Sequence, residues 1–452
     1  MVIINRFPSY FLFFVFVICI FFCLPALATQ IINNTQNLQQ VLDQSQDGDV
    51  IELSPGIYSG NFKIEHSITL RGQKDSIIDG LGMNDALRVT ASHVTIENLH
   101  IRNWGDDLTL MNAGIFVEKT ASHILIQNNY LKGDVTGIWL DKCSDAKVIG
   151  NRVEGNLDLR SVDRGNGIHL SLVTNTEVRG NEVWHTRDGI YINASNHNQL
   201  LDNNMHDLRY GIHYMYSYHN QVIDNYAKDI KAGYALMQSK YLTVTNNVSE
   251  NSLDYGILLN FITNSTIINN QVRTARQPQK NRIVGADGKA LFVYNSLNNI
   301  IKNNAFENSD IGIHLTAGSE GNTIFSNNFI DNSIQVKYVA NSKQEWSQNK
   351  QGNFWSNYLG WDLNSDSIGD TSFEPNDGVD RLLWKFPQAR LLMHSPGILL
   401  LRWVQKQFPV LKPQGVKDSF PLMQAVNLQL TSVGLMNKSQ VNKTLAMTGV
   451  TP

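Results

Sequence analysis

His213, Met215 and Met237 are the side chains in this 452-residue sequence whose types and spacing best suit metal chemistry. A single 22-residue step separates Met215 from Met237, and His213 is the next but one before Met215. Thioether and imidazole groups are soft donors suited to Cu(I). No cysteine lies near them to make binding tight, so the set fits transient holding rather than storage. It forms one site only if the step stacks one methionine on the other and strand alternation turns all three side chains outward. His185 and His206 are second-rank copper candidates one turn away, and Met205 belongs to the same segment. The alternative is that the methionines are adaptable apolar contacts for another domain or a partner.

Two acids have the same spacing. Asp207 and Asp229 are one such step apart, and paired carboxylates can hydrolyse glycans as general acid and base. Arg187, Arg209 and Lys231 run in a parallel column just beyond, so a structural ion ladder is the simpler expectation. No G-x-S-x-G, H-E-x-x-H, Cys-x-x-Cys or phosphate loop occurs, and the chain is not expected to be an enzyme. Asp362, Asn364, Asp366 and Asp370 place oxygens at alternate positions before and after a glycine. That pattern resembles calcium loops, and an Asx-rich turn without metal accounts for it equally well.

The elements that position these residues are repeats. Gly-Ile-x-Leu-like strings begin at Gly114, Gly137, Gly167, Gly189, Gly211, Gly233, Gly256 and Gly312. The steps from Gly167 to Gly189, Gly211 and Gly233 are equal, and the next, to Gly256, is longer by a single position. A second column runs in step: Asn129, Asn151, Asn181, Asn203, Asn225, Asn247, Asn270, Asn304 and Asn328. Alternating segments such as Thr243-Val244-Thr245 precede the asparagines, so strands with one inward face are expected. Glycine and asparagine between strands imply turns with positive φ. A 22-residue unit cannot bury its own apolar face, whereas coils stacked about 4.8 Å apart can. The expected fold is all-β: a right-handed parallel β-helix of roughly twelve coils, with asparagine side chains bonded from coil to coil. Helical repeats need a 3.6-residue period that is absent.

The ends differ from the middle. Residues 1–28 carry one charge, Arg6, then an apolar run and Ala26-Leu27-Ala28, which reads as a secretory signal peptide. A long enough apolar run could instead be an anchor. Removing residues 1–28 takes Cys19 and Cys23, leaving Cys143 and no internal disulfide. The formal charge of −3 becomes −4 when Arg6 is lost. Without a basic cluster, nucleic acid is not an expected partner. Leu38, Val41 and Leu42 mark a short capping helix. The β-helix is expected over residues 29–345, a C-terminal docking or cap region over 346–426, and a loose tail over 427–452. Ile398, Leu400, Leu401, Val404 and Phe408 after Pro396-Gly397 are spaced for an apolar helix too short to span a bilayer.

Several strings carry a family resemblance: Tyr210-Gly211-Ile212-His213-Tyr214-Met215-Tyr216-Ser217, Gly233-Tyr234-Ala235-Leu236-Met237, and Gly352-Asn353-Phe354-Trp355-Ser356-Asn357-Tyr358-Leu359-Gly360-Trp361-Asp362. Pro375-Asn376-Asp377-Gly378-Val379-Asp380-Arg381-Leu382-Leu383-Trp384, Arg402-Trp403-Val404 and Asp418-Ser419-Phe420-Pro421-Leu422-Met423 add to it. In these the chain resembles the NosD family of periplasmic maturation proteins, over nearly all of residues 29–452. The resemblance implies a role in assembling the copper–sulfur centre of nitrous oxide reductase. It also implies an ABC-type transporter partner (membrane subunit NosY, ATPase NosF) and copper received from the chaperone NosL. Copper or a sulfur species could be the cargo. The competing expectations are a β-helix polysaccharide lyase, epimerase or hydrolase, which needs clustered acids in a groove, and a glycan-binding scaffold. The scaffold needs aromatic stripes, for which Trp139 and Tyr191 alone are too few.

Overall fold

A typical coil is built from three short strands, such as Gln199–Leu201, Asn204–His206 and Tyr210–Met215, and in the next two coils the second and third merge into the long strands Tyr226–Met237 and Val248–Asn260. Every pairing between named strands is parallel, and in the solenoid each joins successive coils, as in Gln199 with Gln221 and Met205 with Ala227. One face is a stack of thirteen strands from Thr29–Ile32 to Thr323–Phe325, and the other two strands of each coil share a 23-stranded sheet. The architecture is a right-handed parallel β-helix. A computed structural model describes residues 29–428, apart from 279, 281–285, 317, 340–341, 387, 390–394 and 409–414. The expected signal peptide and the tail beyond 428 lie outside the described residues.

Alternation sorts the side chains as the motif requires. Ile190, Ile192, Ile212, Tyr214, Leu236, Ile257 and Leu259 are fully buried in one continuous core, each aliphatic side chain contributing about 1.5–3 kcal/mol on burial. The asparagine column is a buried ladder. Each Oδ1 accepts the backbone N–H of the asparagine one coil earlier, at 2.9–3.1 Å, from Asn129 onto Asn151 through to Asn327 onto Asn353. Asn327 holds the rung assigned above to Asn328. Asn328 faces the other way and clasps Val426, donating to its carbonyl and accepting from its N–H at 2.8 Å. Two shorter columns line another corner: one runs Asn198 onto Asn220 and, past Leu242, Ser265 onto Asn299 onto Asn322, and the other runs Ser195 onto Ser217 onto Ser239.

The glycine column serves close approach, not positive φ. A Cβ at Gly189, Gly211 or Gly233 would sit 2.6 Å from the carbonyl oxygen of the next glycine in the stack. The left-handed corners are held instead by polar and aromatic residues, including Asp202, Asp207, Tyr216 and His219, all with φ of 51–56°. The residue before each of several ladder asparagines is also left-handed, as at Asn128, Asn246 and Asn269.

Both ends of the core are covered. A helix at Leu38–Gln44, capped by the Asn37 side chain, buries Leu38 and Leu42, and Val41 packs part-buried beside them. At the far end Phe354–Trp355 pairs with Asn328–Phe329 and so continues the stack. Asp418 locks this last coil: its carboxylate accepts from Asn353 N at 2.7 Å, Trp355 Nε1 at 2.8 Å and Phe420 N at 3.1 Å. Burial pushes its pKa up to about 6 against those bonds. Helices Gly378–Lys385 and Pro396–Gln407 lie between that coil and Asp418 in the chain. The first has a capping box on Asp377, and Arg402 of the second pairs with Asp377 and Asp380. Among the described residues no helix is long and apolar enough to cross a membrane.

Candidate functional site

The strand Tyr210–Met215 lies between Asp188–Asn193 and Tyr226–Met237, and Met215 is directly in register with Met237. Asn193 and Asn260 continue that outward column on either side of the pair. Strand neighbours about 4.8 Å apart let two flexible thioethers converge on one ion. Both methionines are half-buried, because the fully buried Tyr214 and Leu236 anchor the strand on the opposite face. His213 points the same way, further back along the strand. Ala235 stands opposite it on the next coil, and the His213 side chain keeps 13% of its surface exposed. The carboxamide oxygens of Gln238 and Asn260, flanking Met237, are buried without a hydrogen-bond partner.

His213 is held by its coil neighbours. Its Nδ1 is 2.9 Å from Asp188 Oδ2, and Arg209 donates to both oxygens of that carboxylate at 2.6 and 2.7 Å. Burial by itself would raise the pKa of Asp188, but His213 and Arg209 outweigh it and hold the carboxyl below its usual range. Tyr210 meets the ring edge-on at 5.2 Å and Tyr191 tilts against it at 4.8 Å. The Arg209 guanidinium lies 4.3 Å over Tyr210.

The second-rank histidines are elsewhere. His206 stacks on Trp184 and faces Asp207 through Nδ1 at 2.8 Å and Glu182 through Nε2 at 3.7 Å. Its burial favours the neutral form, yet those two acids prevail and raise its pKa. His185 sits edge-on to Trp184 with its pKa lowered by burial. Met205 is wholly in the core. Among the described residues no three His, Cys, Asp or Glu side chains are gathered for a metal ion. A site built from thioethers lies outside that count.

The acids and cations pair differently from the expected ladder. Arg209 goes to Asp188 and Lys231 goes to Asp254 at 3.5 Å, because Asp207 and Asp229 occupy left-handed corners that turn them off the column. Asp207 faces His206, and Asp229 accepts from Asn251 at 3.1 Å. In the Asp362–Asp370 segment, Asp362, Asn364, Asp366 and Asp370 accept from the backbone N–H groups of Asp366, Ser367, Ile368 and Leu363.

An aromatic column, fuller than Trp139 and Tyr191 alone suggested, joins the site. Phe116, Trp139, His169, Tyr191 and His213 contact in succession, with Trp139 and His169 stacked at 3.8 Å. Burial drives the pKa of His169 down to about 3. The regular spacing of His169, Tyr191 and His213 carried this signal; Trp139 was obscured by the inserted residues between coils.

Comparisons with known proteins bear on the family of the chain. The family model described as "Periplasmic copper-binding protein (NosD)" matches residues 149–360, which include the methionine pair. A Pseudomonas aeruginosa protein named "Probable ABC transporter binding protein NosD" is 58% identical over 373 residues, 82% of this chain and 87% of the relative. Its Stutzerimonas stutzeri namesake is 55% identical over 374 residues, 82% and 86% of the two chains. Among solved structures, the Streptococcus pneumoniae surface protein and adhesin PfbA aligns with a TM-score of 0.48 and 10% identity, over 65% of this chain and 92% of that one. On the extent and identity of the two relatives, this chain belongs to the NosD family.

Proposed function

We propose that this protein is a periplasmic, non-enzymatic accessory factor that holds copper transiently on the outside of its β-helix, for assembly of the copper–sulfur centre of nitrous oxide reductase. The observation that carries the reading is the in-register stacking of Met215 on Met237 with His213 beside them. Two thioethers and an imidazole suit Cu(I) and leave coordination open for a delivering or receiving protein to complete. The family description as copper-binding and the relatives' name as transporter-binding proteins support copper as cargo and an ABC-type transporter as partner; NosY is the proposed membrane subunit and NosF the proposed ATPase. The copper chaperone NosL is the proposed donor. The exposed Leu399, Leu400, Leu401 and Trp403 of the helix Pro396–Gln407 form the proposed docking face.

A glycan-binding role is less well supported. Sugar platforms need open ring faces, and here Trp139 and His169 cover each other while His169 is nearly buried. The test is a Met215→Ala, Met237→Ala double variant, checked for folding and for co-purification with the transporter, then assayed for copper loading of the reductase. Lost loading with folding and docking intact is expected. Full loading would remove the site.

A further inference from the structure

We infer that Asp188 is a positioning residue for copper: by accepting the Nδ1–H of His213 it fixes the ring tautomer that leaves Nε2 bare as the ligand atom. The inference rests on the copper reading of His213, Met215 and Met237 given above and adds what makes the imidazole a defined donor.

Asp188 has a side chain only 1% exposed and sits one coil before the strand it serves. A buried carboxylate without partners is costly, so its bonds determine its position. Arg209 takes both oxygens in a fork, the geometry in which guanidinium and carboxylate match best. That pair keeps the carboxylate ionised and in one orientation. An ionised carboxylate can only accept. Oδ2, at 2.9 Å from Nδ1, therefore requires the proton on Nδ1.

The consequence falls on the other nitrogen. With Nδ1 protonated, Nε2 carries the lone pair in the neutral ring. The one hydrogen bond of the His213 ring among the described residues is made by Nδ1, and 13% of the side-chain surface stays exposed. Tyr191 and Tyr210 restrict rotation of the ring. At His206, by contrast, acids face both nitrogens, so neither is singled out as the bare donor. A carboxylate behind a ligand histidine also strengthens the imidazole as a donor.

Two measurements test this, and they fail separately. The first needs no variant beyond an assignment: histidine ¹⁵N spectra of the folded, metal-free protein, with His213 identified by its absence in His213→Ala. Nδ1 protonated and Nε2 bare is expected for the neutral imidazole; the opposite tautomer, or an even mixture, overturns the inference. The second is Cu(I) competition against a chromophoric chelator. Asp188→Asn, folded by circular dichroism, is expected to bind Cu(I) about 10–100-fold more weakly, with its His213 tautomer no longer fixed. If His213→Ala weakens Cu(I) binding and Asp188→Asn does not, the positioning role is wrong and the copper site stands. If His213→Ala leaves Cu(I) affinity unchanged, the copper assignment of His213 fails and the role of Asp188 falls with it.

Discussion

Replacing Asn225 with Leu removes one rung from the middle of the buried ladder while roughly keeping its volume. Asn225 Oδ1 accepts from Asn203 N at 3.1 Å and from Asn203 Nδ2 at 2.9 Å. Its Nδ2 donates to Leu200 O, Ile223 O and Asn247 Oδ1. Most of those partners keep another bond: Asn203 Nδ2 retains Val178 O, and Asn247 Oδ1 still accepts from residue 225's own N–H. The backbone N–H of Asn203 does not, and leaving one buried donor unpaired costs about 1–3 kcal/mol. Urea unfolding of the variant should show that loss as a lower midpoint at unchanged slope. Exposed Gln199→Leu on a neighbouring strand is the control, expected to stay within about 0.5 kcal/mol. Native-state hydrogen exchange should place the loosening in the coils around Asn203 and Asn247, because solenoid coils couple to their neighbours. An Asn225→Leu variant as stable as the Gln199 control would refute the ladder as a source of stability.

Three further outcomes are expected. His169 and His314 both have folded pKa values pushed down to about 3 by burial, against about 6.5 unfolded; the unfolded chain thus binds more protons between those values and stability falls as pH drops through that window, by at most about 1.4 kcal/mol per pH unit per histidine. Unfolding at pH 7 and pH 5 should show that loss, and a His169→Gln, His314→Gln variant should show less of it. The carboxylates and amide of the Asp362–Asp370 loop already satisfy four backbone N–H groups, so chelator treatment is expected to leave Tm unchanged; a fall in Tm would instead establish calcium as the staple of that loop. Leu400→Glu with Trp403→Glu should abolish co-purification with the transporter while leaving the fold intact, and retained binding would move the docking face elsewhere. Truncation before Pro396 is the poorer test, since it also removes Asp418 from the last coil.

The fold was legible because a solenoid writes its period into the chain. The glycine register and the asparagine column needed only counting, and both are present. Their physical roles were harder to read. The glycines look like turn formers, and only the stacked backbones reveal carbonyls 2.6 Å from where a Cβ would be. Asn327 and Asn328 are adjacent and identical in type, so composition cannot say which one faces inward. At the candidate site the pairing of Met215 with Met237 followed from the repeat step and strand alternation. Asp188 did not, because its distance along the chain from His213 does not match that step: its register partner is Tyr210, and its side chain reaches along the strand to the ring.

The lock at Asp418 has a consequence for the order in which the protein can be completed. The strap that carries Asp418, together with Val426 against Asn328, follows in the chain everything that it closes. A protein that emerges from a membrane with its N-terminal side first can zip its coils one by one. Until residues 416–426 arrive, however, the growing stack ends in a raw strand edge at Phe354–Trp355, which Leu422 of the strap pairs in the finished fold. Exposed edges of this kind recruit other strands. A stall in export just short of Asp418 would therefore yield nearly complete solenoids able to add end to end, and the strap acts as a terminator of assembly as much as a stabiliser of the finished fold.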